Sequence, residues 1–276
     1  GRPVSAGPPT LSDADVRAEA ELLDRAERTS RQVRQSTAAH PSMTIEDAYR
    51  VQGAWLDLKL ARGETLYGHK IGLTSRAMHA AMNITTPDSG FLTDAMVFEP
   101  GSHLDASAFC DPKVEVELAF VLSTDLAGDE LTVDDVLDAT EHVTPAVEVI
   151  AARSYRTDPA TGRSRTVIDT IADNAADAGI VCGGQPVGPR DIDLAWIGAL
   201  ASRNGVIEET GLAAAVLGHP ARGIAWLARR YGQHGLALAA GQTILAGSFT
   251  RPLDITGGDH FRFDFGPLGA FELSFG

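Results

Sequence analysis

The stretch "VEVELAF", residues 114–120, decides how the rest of this chain is read. Strand side chains alternate with period 2, so Val114, Val116, Leu118 and Phe120 share one face. Glu115 and Glu117 then share the other. Two residues of strand rise set those carboxylates roughly 7 Å apart. At that spacing two unit charges repel by about 2 kcal/mol at an effective dielectric of ~20. The face that carries them therefore meets either water or something positive.

Outward from this strand, the chain of 276 residues can build one large domain or two modest ones. Its balance of 44% hydrophobic and 22% charged residues is that of a soluble globular protein. A net charge of −14 excludes nucleic acid and anionic membrane as main partners, because both need a basic footprint. No apolar run approaches the roughly 20 residues of a membrane span. Residues 1–10 lack a secretory pattern and read as a flexible tail. Cys110 and Cys182 stand far apart in no metal-type spacing, which predicts reduced thiols and a cytoplasmic protein.

Texture divides the chain into a helical N-terminal region, 11–100, and a β-rich catalytic region, 101–276. Residues 11–39 read as one long helix with a Ser12 cap. A second helix starts after Thr44, with Asp47 at the third position of a near capping box and Gly63 as its stop. Its stripe of Ala48, Val51, Trp55 and Leu58 faces the core. "LYGHKIGLTS" (66–75) reads as a strand and its turn, and "RAMHAAMNI" (76–84) as a short helix. Strands follow at 114–122, about 143–150, about 179–182, 197–203, 243–249 and 261–275. Helices near 132–142 and 219–232 interrupt them, the second stopped by Gly232. Asn204-Gly205 signals a hairpin, and Phe261, Phe263 and Phe265 alternate onto one buried face. This predicts an α+β fold, with the helical part packed on the β-rich part.

Chemistry gathers around a third acid. "TPAVEVI" (144–150) places Glu148 in another apolar strand. Three carboxylates converging on one point would not all stay ionised unaided. A hard divalent cation resolves that, and an all-oxygen set favours Mg²⁺, Mn²⁺ or Ca²⁺ over Zn²⁺. Solvated acids on two wet strand faces are the alternative. In "GHKIG" (68–72), Lys70 stands in an apolar, Gly-flanked turn as a proton donor or anion anchor, or as a plain surface lysine. Asp88 in "TPDSG" reads as a turn acceptor. Asp169, Asp173 and Asn174 in "DTIADNAADAG" lie on one helix or on a loop crossing a site.

"GHKIGLTS", "EVELAF", "PAVEVI" and "DTIADNA", in this order and spacing, resemble the hydratase and decarboxylase branch of the fumarylacetoacetate hydrolase superfamily. The resemblance runs from about residue 20 to the end. Within the branch, "DPATGRSRTVIDTIADNAADAG", "RNGVIEETGLAAAVLGHPARGIAWLA" and "GQTILAGSFTRP" point to the hydratases of seven-carbon 2-oxo diacids in aromatic meta-cleavage catabolism. It implies a C-terminal mixed β-barrel or β-roll and a homo-oligomer. It also implies Mg²⁺ or Mn²⁺ on Glu115, Glu117 and Glu148, catalytic roles for Lys70 and Asp88, and a 2-oxo or 2-hydroxydienoic acid substrate. Arg153, Asn174 and Arg251 are candidates for holding that substrate, the arginines for a distal carboxylate. One departure stands out: Ala151 occupies a position where the branch commonly has aspartate. Pentadienoate hydratases, oxalocrotonate-type decarboxylases and acylpyruvate C–C hydrolases share the three-acid pattern. A metal-binding protein without catalysis is the non-enzymatic alternative.

Overall fold

The computed structural model of the chain describes residues 7–72 and 86–276. The first six residues of the expected tail and the helix expected at 76–84 lie outside the described residues. Helix α1 (Asp13–Thr29) begins where expected, with the Ser12 hydroxyl accepting from the Asp15 N–H. It ends ten residues earlier than composition suggests. Ser30 turns left-handed at φ 52°, and the chain then runs extended past Val33, which bridges to Ser154. Val33 N–H donates to the Arg153 carbonyl at 2.9 Å, and Tyr155 N–H returns to Val33 at 3.0 Å. That long-range pairing overrides the helical propensity of 30–35; a short helix, α2 (Ser36–Ala39), follows.

Helix α3 (Ile45–Ala61) carries the full capping box of Thr44 and Asp47. Asp47 also takes the backbone N–H groups of Thr10 and Leu11, which pins the end of the tail to this helix. Ala48, Val51 and Trp55 are fully buried. Gly63 makes the stop at φ 99°, where a β-carbon would be strained.

The larger sheet has eight strands. Along its main path run β2 (Asp88–Thr93), β1 (Leu66–Gly72), β10 (Thr243–Leu245), β5 (Lys113–Leu122), β6 (Thr140–Ile150), β7 (Asp177–Cys182) and β3 (Val97–Phe98). The eighth, β11 (Leu253–Asp254), pairs with the start of β5. A five-stranded sheet runs β4 (His103–Leu104), β13 (Ala270–Phe275), β12 (His260–Asp264), β8 (Gly198–Arg203) and β9 (Val206–Leu212). Both sheets mix parallel and antiparallel pairs, as in β1 with β10 and β13 with β4. The hairpin at Asn204-Gly205 joins β8 to β9 with both residues at positive φ. Three further α-helices lie among the described residues: α4 (Val133–Ala139), α5 (Val167–Ala172) and α6 (Ala221–Gln233).

Three boundaries differ from the sequence reading for local reasons. Gly232 lies inside α6, and the turn is made by Gly235 at φ 70°. The strand expected at 243–249 stops at Leu245, because Gly247 at φ 124° turns the chain toward Glu117. The run 261–275 folds back on itself through Gly266–Leu268 as β12 and β13.

Two cores sandwich the larger sheet. Val114, Val116, Leu118 and Phe120 pack with Phe261, Phe263, Leu273 and Phe275 of the smaller sheet. Ala119, Ala146, Ile180 and Leu245 face the other way and pack with Val16, Leu23, Val51 and Trp55 of the helices. The acidic face of β5 is therefore covered by the helical layer. No helix among the described residues is long and apolar enough to cross a membrane.

Candidate active site

Strand register assembles the acids. Glu115 of β5 stands opposite Glu148 of β6, and Glu117 stands opposite Ala146. Directly opposed residues project to the same face, so Glu148 sits against both β5 acids. One carboxylate oxygen from each of the three lies within 4.8 Å of the others. Opposed ligands are separated by roughly 4.2 Å across Mg²⁺ and roughly 4.8 Å across Ca²⁺, so this cluster fits a hard divalent cation. Gly247 N–H donates to Glu117 Oε2 at 3.1 Å, and Thr250 Oγ1 accepts from Val116 N–H at 3.3 Å. Glu148 is fully buried, with no directed hydrogen bond on either oxygen from the described residues. Its one salt-bridge partner among the described residues is Lys70, whose Nζ lies 2.9 Å from Oε1.

Lys70 reaches this face because β1 alternates. Its neighbour His69 points the opposite way, where its Nδ1 meets the Tyr231 hydroxyl at 3.1 Å. Burial holds the His69 imidazole down to about 4, so it stays neutral as a core residue. Lys70 Nζ donates to the Ala175 carbonyl at 2.7 Å. Asp88 pairs with Gly72 across β1 and β2. A β-carbon on Gly72 would fall 2.3 Å from Asp88 Oδ1 and 3.4 Å from Lys70 Nζ, so both groups crowd the space this glycine leaves open.

The charges are tuned by burial and by one another. Burial first, then Glu148, pushes Glu115 up to about 7. The same two causes raise Glu117 well above the usual carboxylate range. Burial lifts Asp88 to about 6, with Lys70 opposing. For Lys70 burial works downward, but Glu148 and Asp88 overrule it and the ammonium is held above its ordinary value. Carboxylates whose folded pKa is raised hold protons that the unfolded chain has released, so they cost stability as pH climbs from about 4.5 through about 7. Metal-free protein should melt on the order of 5 °C lower at pH 8 than at pH 5. A divalent cation at millimolar concentration, which would favour the ionised form, should erase most of that difference in thermal scans. A metal-free melting point that rises with pH across this range would contradict the cluster's electrostatics.

The other expected residues lie around this centre. The acid segment ends α5 in a turn, where Asp169 caps the helix with Thr166 and accepts from Thr37. Asn174 is buried, and its amide is tied to Phe91, Oδ1 accepting from N–H at 2.8 Å and Nδ2 donating to O at 3.0 Å. Arg153 is 1% exposed. Its Nε donates to Asp173 Oδ1 at 2.7 Å, and Nη2 donates to the carbonyls of Asp173 and Asp177. Arg251 is exposed, with Nε on Glu209 at 2.9 Å, in the loop that carries Gly247 and Thr250. The structure thus brings Lys70 and Asp88 to the three glutamates, sets Arg153 and Asn174 behind them, and leaves Arg251 on the rim.

Two neighbours went unread in the sequence. Asp177 is buried, burial and then Glu148 raise its pKa, and its Oδ2 has no hydrogen bond among the described residues. An acid flanked by alanines at a strand start was the available signal. Arg165, bonded to Asp173 at 3.2 Å, is one of the charges acting on Asp88, and nothing in its local sequence marks it. A separate cavity of about 320 Å³ opens beyond Arg153, lined by Arg28, Lys59, Arg62 and Phe109. Its cations are paired with Asp24, Glu27 and Asp173, although Arg153 Nη1 has no hydrogen bond among the described residues.

No family model matches the chain. A curated relative, the 2-oxo-hept-4-ene-1,7-dioate hydratase of Escherichia coli, is 52% identical over 93% of this chain and 96% of its own. A solved structure of 4-oxalocrotonate decarboxylase from Pseudomonas putida G7, complexed with magnesium and adipate, superposes with a TM-score of 0.92. It is 34% identical and covers 97% of this chain and 100% of that one. The fumarylpyruvate hydrolase of Pseudomonas aeruginosa shares the fold at 12% identity and a TM-score of 0.54, over 75% of this chain and 88% of that one.

Proposed function

Since the chain belongs to the hydratase and decarboxylase branch of the fumarylacetoacetate hydrolase superfamily, we propose that it is a divalent-metal-dependent hydro-lyase. It adds water to an unsaturated 2-oxo diacid of the 2-oxo-hept-4-ene-1,7-dioate kind, in meta-cleavage catabolism. What carries hydration over decarboxylation is the relatives' identity, 52% for the heptenedioate hydratase against 34% and 37% for the decarboxylases, each over at least 91% of the chain. Glu115, Glu117 and Glu148 would hold Mg²⁺ or Mn²⁺. When bound, the cation supplies Lewis-acid stabilisation of negative charge on the 2-oxo group.

The chain's own groups supply the rest. Lys70 holds a proton at Nζ, the Ala175 carbonyl accepts one of its N–H groups and Glu148 lies 2.9 Å away as counter-charge, so the ammonium stands at the site as a donor. Asp88, lifted to about 6, is mostly ionised at neutral pH yet basic enough to take a proton from water at its carboxylate. The helical layer over the acidic face limits bulk water. Arg251 would meet the distal carboxylate, because its loop also holds Glu117 and Val116. The free thiols fit a cytoplasmic setting. Exposed Trp196, in the turn before β8, and Val206 and Ile207 on β9 fit a homo-oligomer contact.

The test is product analysis by mass spectrometry with Mg²⁺ and 2-hydroxydienoates of five and seven carbons. Gain of one water supports the reading. Release of CO₂ would make it a decarboxylase, and two fragments a hydrolase. In the same assay Arg251→Ala should raise KM for the seven-carbon diacid about tenfold and leave the five-carbon monoacid within twofold, as expected for one charge-assisted contact. Equal losses on both would remove Arg251 from distal recognition.

A further inference from the structure

The turn between α5 and β7 is built against its own backbone preference. Asn174, Ala175 and Ala176 all stand left-handed, at φ 55°, 50° and 67°. A β-carbon makes that conformation costly, and only asparagine among these types visits it readily. Such strain persists where the surroundings over-determine it, and here each flank is clamped. The Asn174 amide grips both backbone groups of Phe91 in β2. Gly90 next to it has no side chain, and a β-carbon there would lie 2.5 Å from the Asn174 carbonyl. Arg153 holds the carbonyls of Asp173 and Asp177, and Ala151 N–H takes that of Ala176 at 2.8 Å. The Ala175 carbonyl accepts instead from Lys70 Nζ.

We propose that this strained turn is a positioning device for Lys70, with Asn174 and Arg153 as positioning residues acting through the Ala175 carbonyl. The proposal rests on the reading of Lys70 as the proton-transfer group. Ala175 O fixes one N–H direction, while Glu148 Oε1 holds the ammonium by charge at 2.9 Å, so the carbonyl is its one directed anchor among the described residues. If Asn174 lets go of Phe91, the turn relaxes and the ammonium loses an anchor, while the three glutamates keep their register across β5 and β6.

The experiment is a double-mutant cycle of Asn174→Ala and Lys70→Met, with kcat and KM on a 2-hydroxydienoate and Mg²⁺ affinity by calorimetry. Asn174→Ala should lower kcat about 10- to 100-fold, the scale of an ångström's misplacement, with KM and Mg²⁺ affinity within threefold. In the Lys70→Met background the same change should alter kcat less than twofold. Asn174→Gly, which keeps the left-handed backbone but not the clamp, should behave as Asn174→Ala and serves if that variant does not fold. Equal kcat losses in both backgrounds, or no loss in the wild-type background, would overturn the positioning role while leaving hydration intact. A wild-type enzyme that turns over no 2-hydroxydienoate, or a Lys70→Met variant as fast as wild type, overturns the functional reading and this inference with it.

Discussion

Glu148→Gln should abolish turnover while leaving the fold as stable as before. Glutamine keeps the volume and an oxygen toward Lys70 Nζ, which lies 2.9 Å from Glu148 Oε1. What it removes is one of three negative charges gathered within 4.8 Å. A lost ligand charge at a Lewis-acid site withdraws several kcal/mol of transition-state stabilisation, or about 10³-fold in kcat. Stability should move the other way. Glu148 is the leading charge among those that raise Glu115 and Glu117, so neutralising it relieves both in metal-free protein. The melting point at pH 8 should equal or exceed that of wild type, and calorimetry should show weakened Mg²⁺ binding. Near-normal turnover in saturating Mg²⁺ would remove Glu148 from the metal centre. A large drop in melting point would instead make it a structural residue.

That opposition between activity and stability explains why the centre was half legible in the sequence. Alternation alone put Glu115 and Glu117 on one face, and the short apolar strand around Glu148 supplied the third acid. Periodicity is a property of one strand, however, and by itself favours solvated acids over a cation. The deciding facts are long-range: Glu148 lies opposite Glu115, a helical layer packs on that face of the sheet, and Lys70 arrives from a strand 45 residues upstream of Glu115. The α+β class was readable because helix caps and strand alternation are local, as the Thr44–Asp47 box and the Phe261–Phe263 face bear out, although β1, β2 and β3 fall inside the stretch read as helical. The early end of α1 was not, since it depends on Val33 pairing beside Arg153 across 120 residues. Nor was the left-handed run 174–176, because alanine carries no local signal for positive φ.

Lys70→Met should nearly silence the enzyme and yet bind Mg²⁺ at least as tightly as wild type. Methionine fills a similar apolar stem without the ammonium. Loss of a positioned proton donor costs roughly 10²–10⁴ in kcat, with KM little changed if substrate is held elsewhere. Metal affinity follows a separate sign. Lys70 is a positive charge beside a buried metal-facing carboxylate, and it competes with a cation for Glu148. Removing it leaves Glu148 more available to a divalent ion. Metal-free protein suffers instead, because a buried carboxylate loses its only salt-bridge partner among the described residues, at a cost of about 3–5 kcal/mol. At a few degrees per kcal/mol, the pH 8 melting point should fall by roughly 10 °C, and added Mg²⁺ should restore most of it. Melting curves with and without Mg²⁺, beside kcat, separate the possibilities. A variant that cannot bind Mg²⁺ would show that Lys70 builds the metal centre, and one that turns over normally would exclude it from proton transfer.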